Sequence, residues 1–405
     1  MKKNNKLVPR LRFQEFKNSP SWDIKKLEQL LSIGNGRDYK HLSKGNIPVY
    51  GSGGYMCSVD DFLYDGESVC IGRKGTINRP IFINGKFWTV DTLFYTYSYI
   101  NCIPKFIYNV FQKIDWLKYN EAGGLPSLSK TTIQKIPIYI PTIEEQKKIA
   151  DCLASIDDLI EAEKRKLEVL KKYKKALMQK LFPAEDASIP ELRFEEFKDS
   201  GEWEYKKLSD IGESYSGLTN KNASHFIDDC NAKYITYKSI YDCDKININK
   251  LKDLFIEEGE KQNLVQYGDA FFTISSETQD EVGLSSVLLD EVSNTYLNSF
   301  CFGFRYDFNI LLPEFARYYF RSNYIRKYTY ILSQGITRFN LSKNKFLEII
   351  IKIPTIKEQK KIADCLDSID SIIDSQIKKI DNLIKHKKAL MQGLFPDMES
   401  IEEYE

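Results

Sequence analysis

The chain has 405 residues, of which 42% are hydrophobic and 28% are charged, and its formal net charge is +1 at pH 7. This length exceeds one ordinary hydrophobic core and predicts two or three domains. The sequence shows no apolar run long enough to span a bilayer and no signal-peptide pattern, so we expect a cytoplasmic protein without membrane contact. Eight scattered cysteines without a C-x-x-C pair and only three histidines argue against a metal site.

The charge is distributed unevenly along the chain. Residues 1–140 carry 20 Lys and Arg against 11 Asp and Glu, a balance of +9, so the remainder carries −8. An excess of cations in one segment is typical of proteins that bind a polyanion. The composition therefore predicts such a partner for the first part of the chain and is neutral about the rest.

A short repeat opens each half of the chain. The segment PRLRFQEFK begins at Pro9 and returns as PELRFEEFK from Pro190, an offset of 181. Each copy is followed by a tryptophan and a Lys-Lys-Leu triplet. We call these two segments the leads.

The stretch after the first lead is rich in predicted strands. Short β-branched and aromatic runs alternate with glycine turns over 47–97, and Asn84-Gly85 between two apolar runs predicts a β-hairpin. Ile103 to Tyr119 predicts a helix, and the alternation of Ile136, Ile138 and Ile140 predicts a strand.

A long repeat follows each block. PTIEEQKKIADCLASIDDLIEAEKRKLEVLKKYKKALMQKLFP spans 141–183, and a gapless second copy at an offset of 213 spans 354–396. Both copies carry apolar residues at heptad spacing, which predicts two long amphipathic helices. Each seam is broken at the same two places, by Glu163 and Lys174 in the first copy and by Gln376 and Lys387 in the second.

Matching breaks indicate that each helix is the other's partner, because polar seam residues specify register. In an antiparallel pair that matches polar with polar, Glu163 faces Lys387 and Lys174 faces Gln376. The alternative is that these residues are solvated breaks on helices packed elsewhere.

The second block, between the second lead and the second helix, has predicted strands in KYITYKSIYD and GDAFFTISSE and a predicted helix from Pro313 to Tyr328. Its exit matches the first block at an offset of 213, since Leu341-Ser342-Lys343 repeats Leu128-Ser129-Lys130. The exits of the two blocks match while the sequences of their middles differ, as expected for one scaffold with two different reading surfaces.

Three sets of polar residues are candidates for DNA contacts. Cations, small residues and amides that suit phosphates and base edges occur in two loops of the first block and in three segments of the second. They are Arg73, Lys74, Thr76, Asn78 and Arg79; Ser127, Ser129 and Lys130; and Lys238, Ser275, Ser276, Glu277, Gln279, Thr337, Arg338, Asn340, Ser342 and Lys343. The alternatives are ordinary basic or polar turns and, for Ser129 and Ser342, caps of helix N-termini.

Signatures of catalysis are missing from the sequence. There is no G-x-x-x-x-G-K-S/T phosphate loop, and no Pro-Pro dipeptide from which the Asn/Asp-Pro-Pro-Tyr motif of amino-methyltransferases is built. The carboxylates form no pair suited to acid–base catalysis, so we expect no catalytic residues and no metal ligands in this chain.

The duplicated leads, the P-T-I-x-E-Q-K-K-I-A helices that end in L-M-Q-x-L-F-P, the GRKGTI and GKFWTVDTLFY segments and the GITRFNLSK exit resemble the specificity subunits of type I restriction-modification systems. The resemblance covers nearly the whole chain. It implies an α+β fold in which two mixed α/β target-recognition domains are separated by two long helices that form an antiparallel coiled coil, with a pseudo-two-fold internal repeat. The main departure is that the second block is longer than the first, by the difference between the offsets 213 and 181.

The expected organisation follows that resemblance. It comprises a lead segment 1–19, target-recognition domain 20–140, helix 141–183, a linker with the repeated lead 184–200, target-recognition domain 201–353, helix 354–396 and an acidic tail 397–405. Each recognition domain is expected to read one half of a bipartite asymmetric site in double-stranded DNA, and the helices to set the spacer.

The resemblance also implies partners. Two modification subunits would methylate adenine with S-adenosylmethionine, and two restriction subunits would use ATP and Mg²⁺, whereas this chain would hold no cofactor itself. Two other classes remain open from sequence. One is a DNA-binding or antirestriction-like adaptor without methyltransferase partners, and the other is a coiled-coil scaffold with protein- or carbohydrate-binding domains.

Overall fold

The computed structural model describes residues 8–228 and 230–396. The chain forms two compact units, the first from Met1–Arg165 with Ile377–Glu405 and the second from Lys166–Gln376. Much of the predicted lead segment belongs to the described part, whereas the predicted acidic tail 397–405 lies outside it. No helix in the described part combines the length and apolarity needed to cross a membrane.

The α-helices of the described part include two that have 39 residues each. In chain order the α-helices are α1 Pro104–Lys113, α2 Lys130–Lys135, α3 Ile143–Leu181, α4 Leu208–Ile211, α5 Tyr237–Asp242, α6 Pro313–Tyr319, α7 Asn323–Leu332, α8 Lys343–Leu347 and α9 Ile356–Leu394. A 3₁₀ turn stands in each lead, at Gln14–Phe16 and Glu195–Phe197. The boundary between the units falls within both α3 and α9.

The strands are short. Those of the first unit are β1 Asp23–Lys26, β2 Ser32–Asn35, β3 Lys44–Gly51, β4 Gly54–Val59, β5 Tyr64–Asp65, β6 Ser68–Gly72, β7 Ile81–Ile83, β8 Lys86–Thr89, β9 Leu93–Tyr97 and β10 Pro137–Ile140. Those of the second unit are β11 Glu204–Lys207, β12 Gly212–Ser216, β13 Ala232–Ile235, β14 Lys252–Leu254, β15 Ala270–Thr273, β16 Ser275–Ser276, β17 Ser285–Val287, β18 Thr295–Leu297, β19 Cys301–Tyr306, β20 Ser333–Gln334, β21 Phe339–Leu341 and β22 Ile350–Ile353.

The two units repeat one strand topology, including the middles whose sequences differ. An antiparallel sheet of order β2-β9-β6-β7 in the first unit corresponds to β12-β19-β15-β17 in the second. A second sheet of order β4-β3-β8-β5 corresponds to β14-β13-β18, and the pairs β3–β8 and β13–β18 are both parallel. The antiparallel pairs β1–β10 and β11–β22 have matching registers. The duplication predicted from the leads and exits thus extends through each block.

A buried ion pair fixes each lead to the first turn of a long helix. The Arg12 guanidinium donates two hydrogen bonds to the Glu145 carboxylate, at 2.8 and 2.7 Å, and Arg193 donates equivalent bonds to Glu358. The Trp22 indole donates a third bond to Glu145 at 3.3 Å. Glu145 is 1% exposed, so its charge depends on these donors because water does not reach it.

The glutamine that follows each of these glutamates joins the same helix to the preceding block. The Gln146 side-chain amide donates to the carbonyls of Asn101 and Pro141, and its oxygen accepts from the Ile103 amide. Gln359 makes the corresponding contacts in the second unit. The repeated Glu-Gln pair is therefore a buried anchor.

The long helices contribute to the core of each unit through their apolar seams. In the first unit Ile149 and Leu153 of α3 belong to the same buried cluster as Leu394 of α9. In the second unit Leu177 and Leu181 of α3 belong to one cluster with five residues of α9, namely Ile362, Ala363, Leu366, Ile369 and Ile373. Phe-Pro ends both helices, since proline disfavours helical backbone at the residue before it.

The predicted register of the polar seam residues is wrong. Lys387 pairs with Asp157 at 2.7 Å and Lys174 pairs with Asp370 at 2.5 Å, which are equivalent pairs at the offset of 213. Glu163 pairs with Lys379. The helices are antiparallel, as predicted. The predicted partners were Lys387 for Glu163 and Gln376 for Lys174, and the observed partners lie about two helical turns away from these residues. Long lysine side chains reach an acid beside the seam, so they need no polar residue opposite them.

Two local predictions are also wrong. Asn84-Gly85 does not close a hairpin, because β7 pairs with β6 and β8 pairs with β3 and β5 in the other sheet. Gly85 has a φ of 97° and exchanges backbone hydrogen bonds with Gly66, so this turn carries the chain from one sheet to the next. The run KYITYKSIYD is a strand only to Ile235 and then becomes α5, because the Thr236 hydroxyl accepts a hydrogen bond from the Ser239 amide and caps the helix.

We expect Arg193→Met to lower the free energy of unfolding by about 3 kcal/mol, because it leaves the buried Glu358 carboxylate without its cation. Denaturant unfolding of the full chain measures this change. Lys198→Met is the matched control, since the Lys198–Glu195 pair is exposed and contributes less than about 1 kcal/mol. Equal effects of the two substitutions would show that the buried pair contributes no more than a surface pair.

The observed register makes a second prediction. In a double-mutant cycle, Asp157→Lys with Lys387→Asp should recover about 0.5 kcal/mol relative to the sum of the single changes, because the reversed charges pair again. Glu163→Lys with Lys387→Glu should be additive in the same unfolding assay. Rescue in the second cycle and additivity in the first would restore the register predicted from sequence.

Candidate nucleic-acid interface

Two loops of the first unit that are distant from each other in sequence are joined by their backbones. Lys74 forms a β-bridge with Ser127, the Gly75 amide donates to the Pro126 carbonyl at 2.8 Å, and the Leu128 amide donates to the Arg73 carbonyl at 2.9 Å. The first two groups of candidate residues therefore lie on one continuous surface.

The conformation of this surface depends on two glycines. Gly75 has a φ of 90°, and a Cβ on Gly72 would lie 2.0 Å from the Thr76 carbonyl oxygen. The turn leaves its long polar side chains in solvent, because Arg73, Lys74, Asn78 and Arg79 are exposed or half-buried, as is Thr76. Such a tight backbone with projecting cations suits close approach to a phosphate chain.

The serines at the two block exits are helix caps. The Ser129 hydroxyl oxygen accepts from the Thr132 amide at 3.1 Å, and that of Ser342 accepts from the Lys345 amide at 3.5 Å. The capping alternative therefore describes both residues. Thr132 and Ser129 donate hydrogen bonds to Glu121, which lowers the pKa of that carboxyl.

Lys130 and Lys343 are the first residues of α2 and α8 and are half-buried. The Lys343 ammonium donates to the Ser216 hydroxyl at 2.6 Å. Because a hydroxyl group is neutral, this hydrogen bond positions the Lys343 side chain beside β12 but does not neutralise its positive charge.

The second unit also joins two loops by backbone pairing, as the first unit does at Lys74 and Ser127, but with different side chains. We call this backbone pairing the joint. Ser275 pairs with Asn340 and Ser276 with Phe339 between β16 and β21. Asn340 is the repeat equivalent of Ser127, so this pairing corresponds to the bridge at Lys74 in the first unit. The Tyr237 hydroxyl donates to the Ser275 carbonyl at 3.2 Å and brings α5, which carries the exposed Lys238, to the same surface.

A tight turn precedes β21. A Cβ on Gly335 would lie 1.9 Å from the Arg338 carbonyl oxygen, so only glycine fits where the chain doubles back. Ile336 at the tip is 96% exposed, and Thr337, Arg338 and Asn340 are exposed as well. Together with Lys238 and the exposed Glu277, they form the accessible part of the second candidate surface.

Three predicted contact residues face the protein instead. Ser276 is 7% exposed and its hydroxyl donates to Glu281, which lowers the pKa of that carboxyl. The Gln279 amide donates to the Tyr330 and Ser333 carbonyls, and the Ser275 hydroxyl oxygen is closed to solvent. These side chains support the loop, and their contact with DNA stays a prediction.

Sequence reasoning missed a groove beside the first surface. It has a volume of about 800 Å³ and is lined by Lys40, Ser52, Tyr55, Asp91 and Thr92, among others. The Arg73 amide donates to the Thr92 carbonyl at 2.8 Å, so the groove adjoins the basic loop. The glycines at 51, 53 and 54 are the signal that could have indicated it, but they predicted only turns.

The two surfaces offer donors, cations and a few acceptors for base edges and phosphates. Among the described residues, no group of three or more His, Cys, Asp or Glu is arranged to hold a metal ion.

Comparison with known proteins identifies the family. Residues 20–172 and 200–386 match the family model described as the type I restriction modification DNA specificity domain. The type I restriction enzyme MjaVIII specificity subunit of Methanocaldococcus jannaschii is 25% identical over 348 residues, which cover 82% of this chain and 77% of the relative. A putative type I specificity subunit of Haemophilus influenzae is 22% identical and covers 82% of each chain.

A solved structure has the same fold. The S subunit of the type I restriction-modification system of M. genitalium superimposes with a TM-score of 0.60 at 16% identity, over 96% of this chain and 99% of that one. Because the family model matches two separate stretches that together make up most of the sequence, this chain belongs to the type I restriction-modification specificity family and carries its DNA specificity domain twice.

Proposed function

We propose that the two recognition domains, 20–140 and 201–353, each read one half of a bipartite asymmetric DNA site. The observation that supports this is the repeated joint, in which the bridges Lys74–Ser127 and Ser275–Asn340 present different side chains on one backbone plan. Two surfaces with the same frame and different polar groups would bind two different short sequences.

The accessible members of each surface have distinct roles in this proposal. Arginine contacts guanine through two parallel hydrogen bonds, so Arg73, Arg79 and Arg338 are proposed to read base edges. Lysines contact phosphates as point charges, which suits Lys74, Lys130, Lys238 and Lys343. The groove beside the first surface would add Lys40, Ser52 and Tyr55.

The two long helices are proposed to set the spacer between the half-sites. Each has 39 residues, which at about 1.5 Å per residue is about 58 Å long, between one and two turns of B-DNA. They are also proposed to dock two modification subunits at equivalent surfaces. Leu159 and Ile372, which correspond at the offset of 213, are 44% and 51% exposed.

The chain itself is proposed to catalyse no reaction. Adenine methylation with S-adenosylmethionine, and cleavage with ATP and Mg²⁺, would belong to the modification and restriction subunits. The test is to map methylated adenines in cells that carry the chain with its modification partner. A continuous methylated sequence without an unspecified gap would contradict the proposal, and a chain that purifies without methyltransferase would indicate an adaptor.

Arg73→Ala should relax discrimination in one half-site only, by about 1–3 kcal/mol, because it removes a donor pair from the first surface. Arg338→Ala should affect only the other half-site. Lys25→Ala is the matched control, since Lys25 is an exposed cation on β1 outside both surfaces. Competition binding with single-base variants of the mapped site measures each effect. Loss of discrimination in both half-sites from one substitution would refute separate reading.

Insertion of one helical turn into Glu145–Leu181 should lengthen the spacer and leave both half-sites unchanged. Four residues add about 6 Å, which is roughly two base-pair rises. A control with alanine at the exposed Lys164 and Arg165 keeps the length and should keep the spacer. Methylation mapping reads both outcomes. Altered half-sites with the original spacer would remove the helices from this role.

A further inference from the structure

The turn between β18 and β19 of the second unit carries an aromatic side chain in solvent. This turn spans 298–301, and its Phe300 is 56% exposed. The Phe300 amide donates to the Asn298 side-chain oxygen at 2.9 Å, and the Phe300 carbonyl accepts from the Ile274 amide at 3.0 Å. The backbone that carries the ring is therefore fixed by hydrogen bonds on both sides.

The first unit has an equivalent turn at 90–93. In each turn the amide of the fourth residue donates to the carbonyl of the first, at 2.9 Å in the first unit and 3.1 Å in the second. A Cβ on Gly36 would lie 1.9 Å from that first carbonyl oxygen, and a Cβ on Gly217 would lie 2.1 Å from its counterpart. Gly36 and Gly217 are separated by 181 residues, the offset between the two leads.

The segment beside the turn is also equivalent in the two units. The carbonyl of the third turn residue accepts from the Arg73 amide in the first unit and from the Ile274 amide in the second, at 2.8 and 3.0 Å. The Arg73 and Ile274 carbonyls accept in turn from Leu128 and Leu341, both at 2.9 Å, and these leucines correspond at the offset of 213. Each turn thus lies at the same place beside its joint.

The third residue of the turn differs between the units. In the first unit it is Thr92, which lines the groove beside the first candidate surface. In the second unit it is Phe300. An aromatic ring therefore replaces a small polar side chain at the equivalent position beside the second candidate surface.

Phe300 lies among residues that suit DNA. The Asn298 amide donates to the carbonyl of Ile235, the last residue of β13, and α5 with its exposed Lys238 begins two residues later. Single exposed apolar residues are common on protein surfaces. This ring is distinguished by its fixed backbone and by its place between α5 and the joint.

We propose that Phe300 contacts the methyl group of one thymine in the second half-site. This inference deepens the proposed function and rests on it. Thymine presents its C5 methyl group in the major groove, and phenylalanine is among the side chains that contact this group. Arg338 and Asn340, on the same candidate surface, would bind the edges of neighbouring bases.

Replacement of each thymine of the mapped second half-site by deoxyuridine tests this contact, because it removes one methyl group and keeps every hydrogen-bonding group of the base. Equilibrium binding is measured with the full chain and its modification subunits. At one position the wild type should bind the uracil duplex about fourfold more weakly, the effect of one buried methyl carbon. Phe300→Ser should bind the thymine and uracil duplexes equally.

Phe255→Ser is the matched control, since Phe255 is 43% exposed and lies in the same unit. Ala232 pairs with Leu254, so Phe255 lies at the end of β13 that is remote from Ile235 and α5. This variant should keep the preference for thymine. Phe300→Ser should also leave the effect of uracil in the first half-site unchanged, which would show that the rest of the chain is intact.

Two results would overturn this inference. One is a thymine preference in the second half-site that survives in Phe300→Ser, and the other is equal binding of thymine and uracil by the wild type throughout that half-site. The proposed function would still stand in both cases if Arg338→Ala relaxes the same half-site. Failure of the complex to bind duplex DNA would refute the proposed function and this inference with it.

Discussion

A buried arginine–glutamate pair is the interaction on which each unit depends. The Glu145 and Glu358 side chains are each 1% exposed, and the Arg12 and Arg193 side chains are each 6% exposed. Ions removed from water to this extent are stable only when bonds to a partner replace their hydration. Two parallel guanidinium bonds and one indole bond do so in each unit, and they fix the angle at which a lead meets its helix.

This constraint separates the frame of each unit from its variable surface. The lead, the Glu-Gln anchor, the block exit and the long helix are specified by buried contacts that repeat in both halves. The joint between loops is made by backbone hydrogen bonds, as at Lys74 with Ser127 and at Ser275 with Asn340. Because backbone atoms form that joint, the exposed side chains beside it can differ without loss of the fold.

The frame of each unit could be predicted from the sequence better than its surfaces. Repeats at fixed offsets located both long helices and the exit strands, because long periodic patterns reflect which face of an element is buried. The turn at 84–85 was misread because turn chemistry specifies a change of direction and not which sheet receives the next strand. No sequence pattern reveals the contacts with Glu281 and Tyr330 that occupy polar atoms of Ser276 and Gln279. The buried pair of each lead was also invisible, since its two residues were both repeated but no spacing pattern joins positions so distant in the chain.

The register of the long helices also depends on contacts that the sequence pattern did not reveal. Seam matching alone placed polar residues opposite one another, but the structure uses Lys174 with Asp370 and Lys387 with Asp157, pairs that repeat at one offset. In the second unit Arg317 and Tyr318 from α6 bond to the same Asp370. One carboxylate therefore sets the register between helices and also positions the recognition block on them. If α9 shifted by one helical turn, the buried Arg317 side chain would lose its ion pairs with Asp367 and Asp370. The energetic cost of an unpaired buried charge therefore opposes such a shift in register.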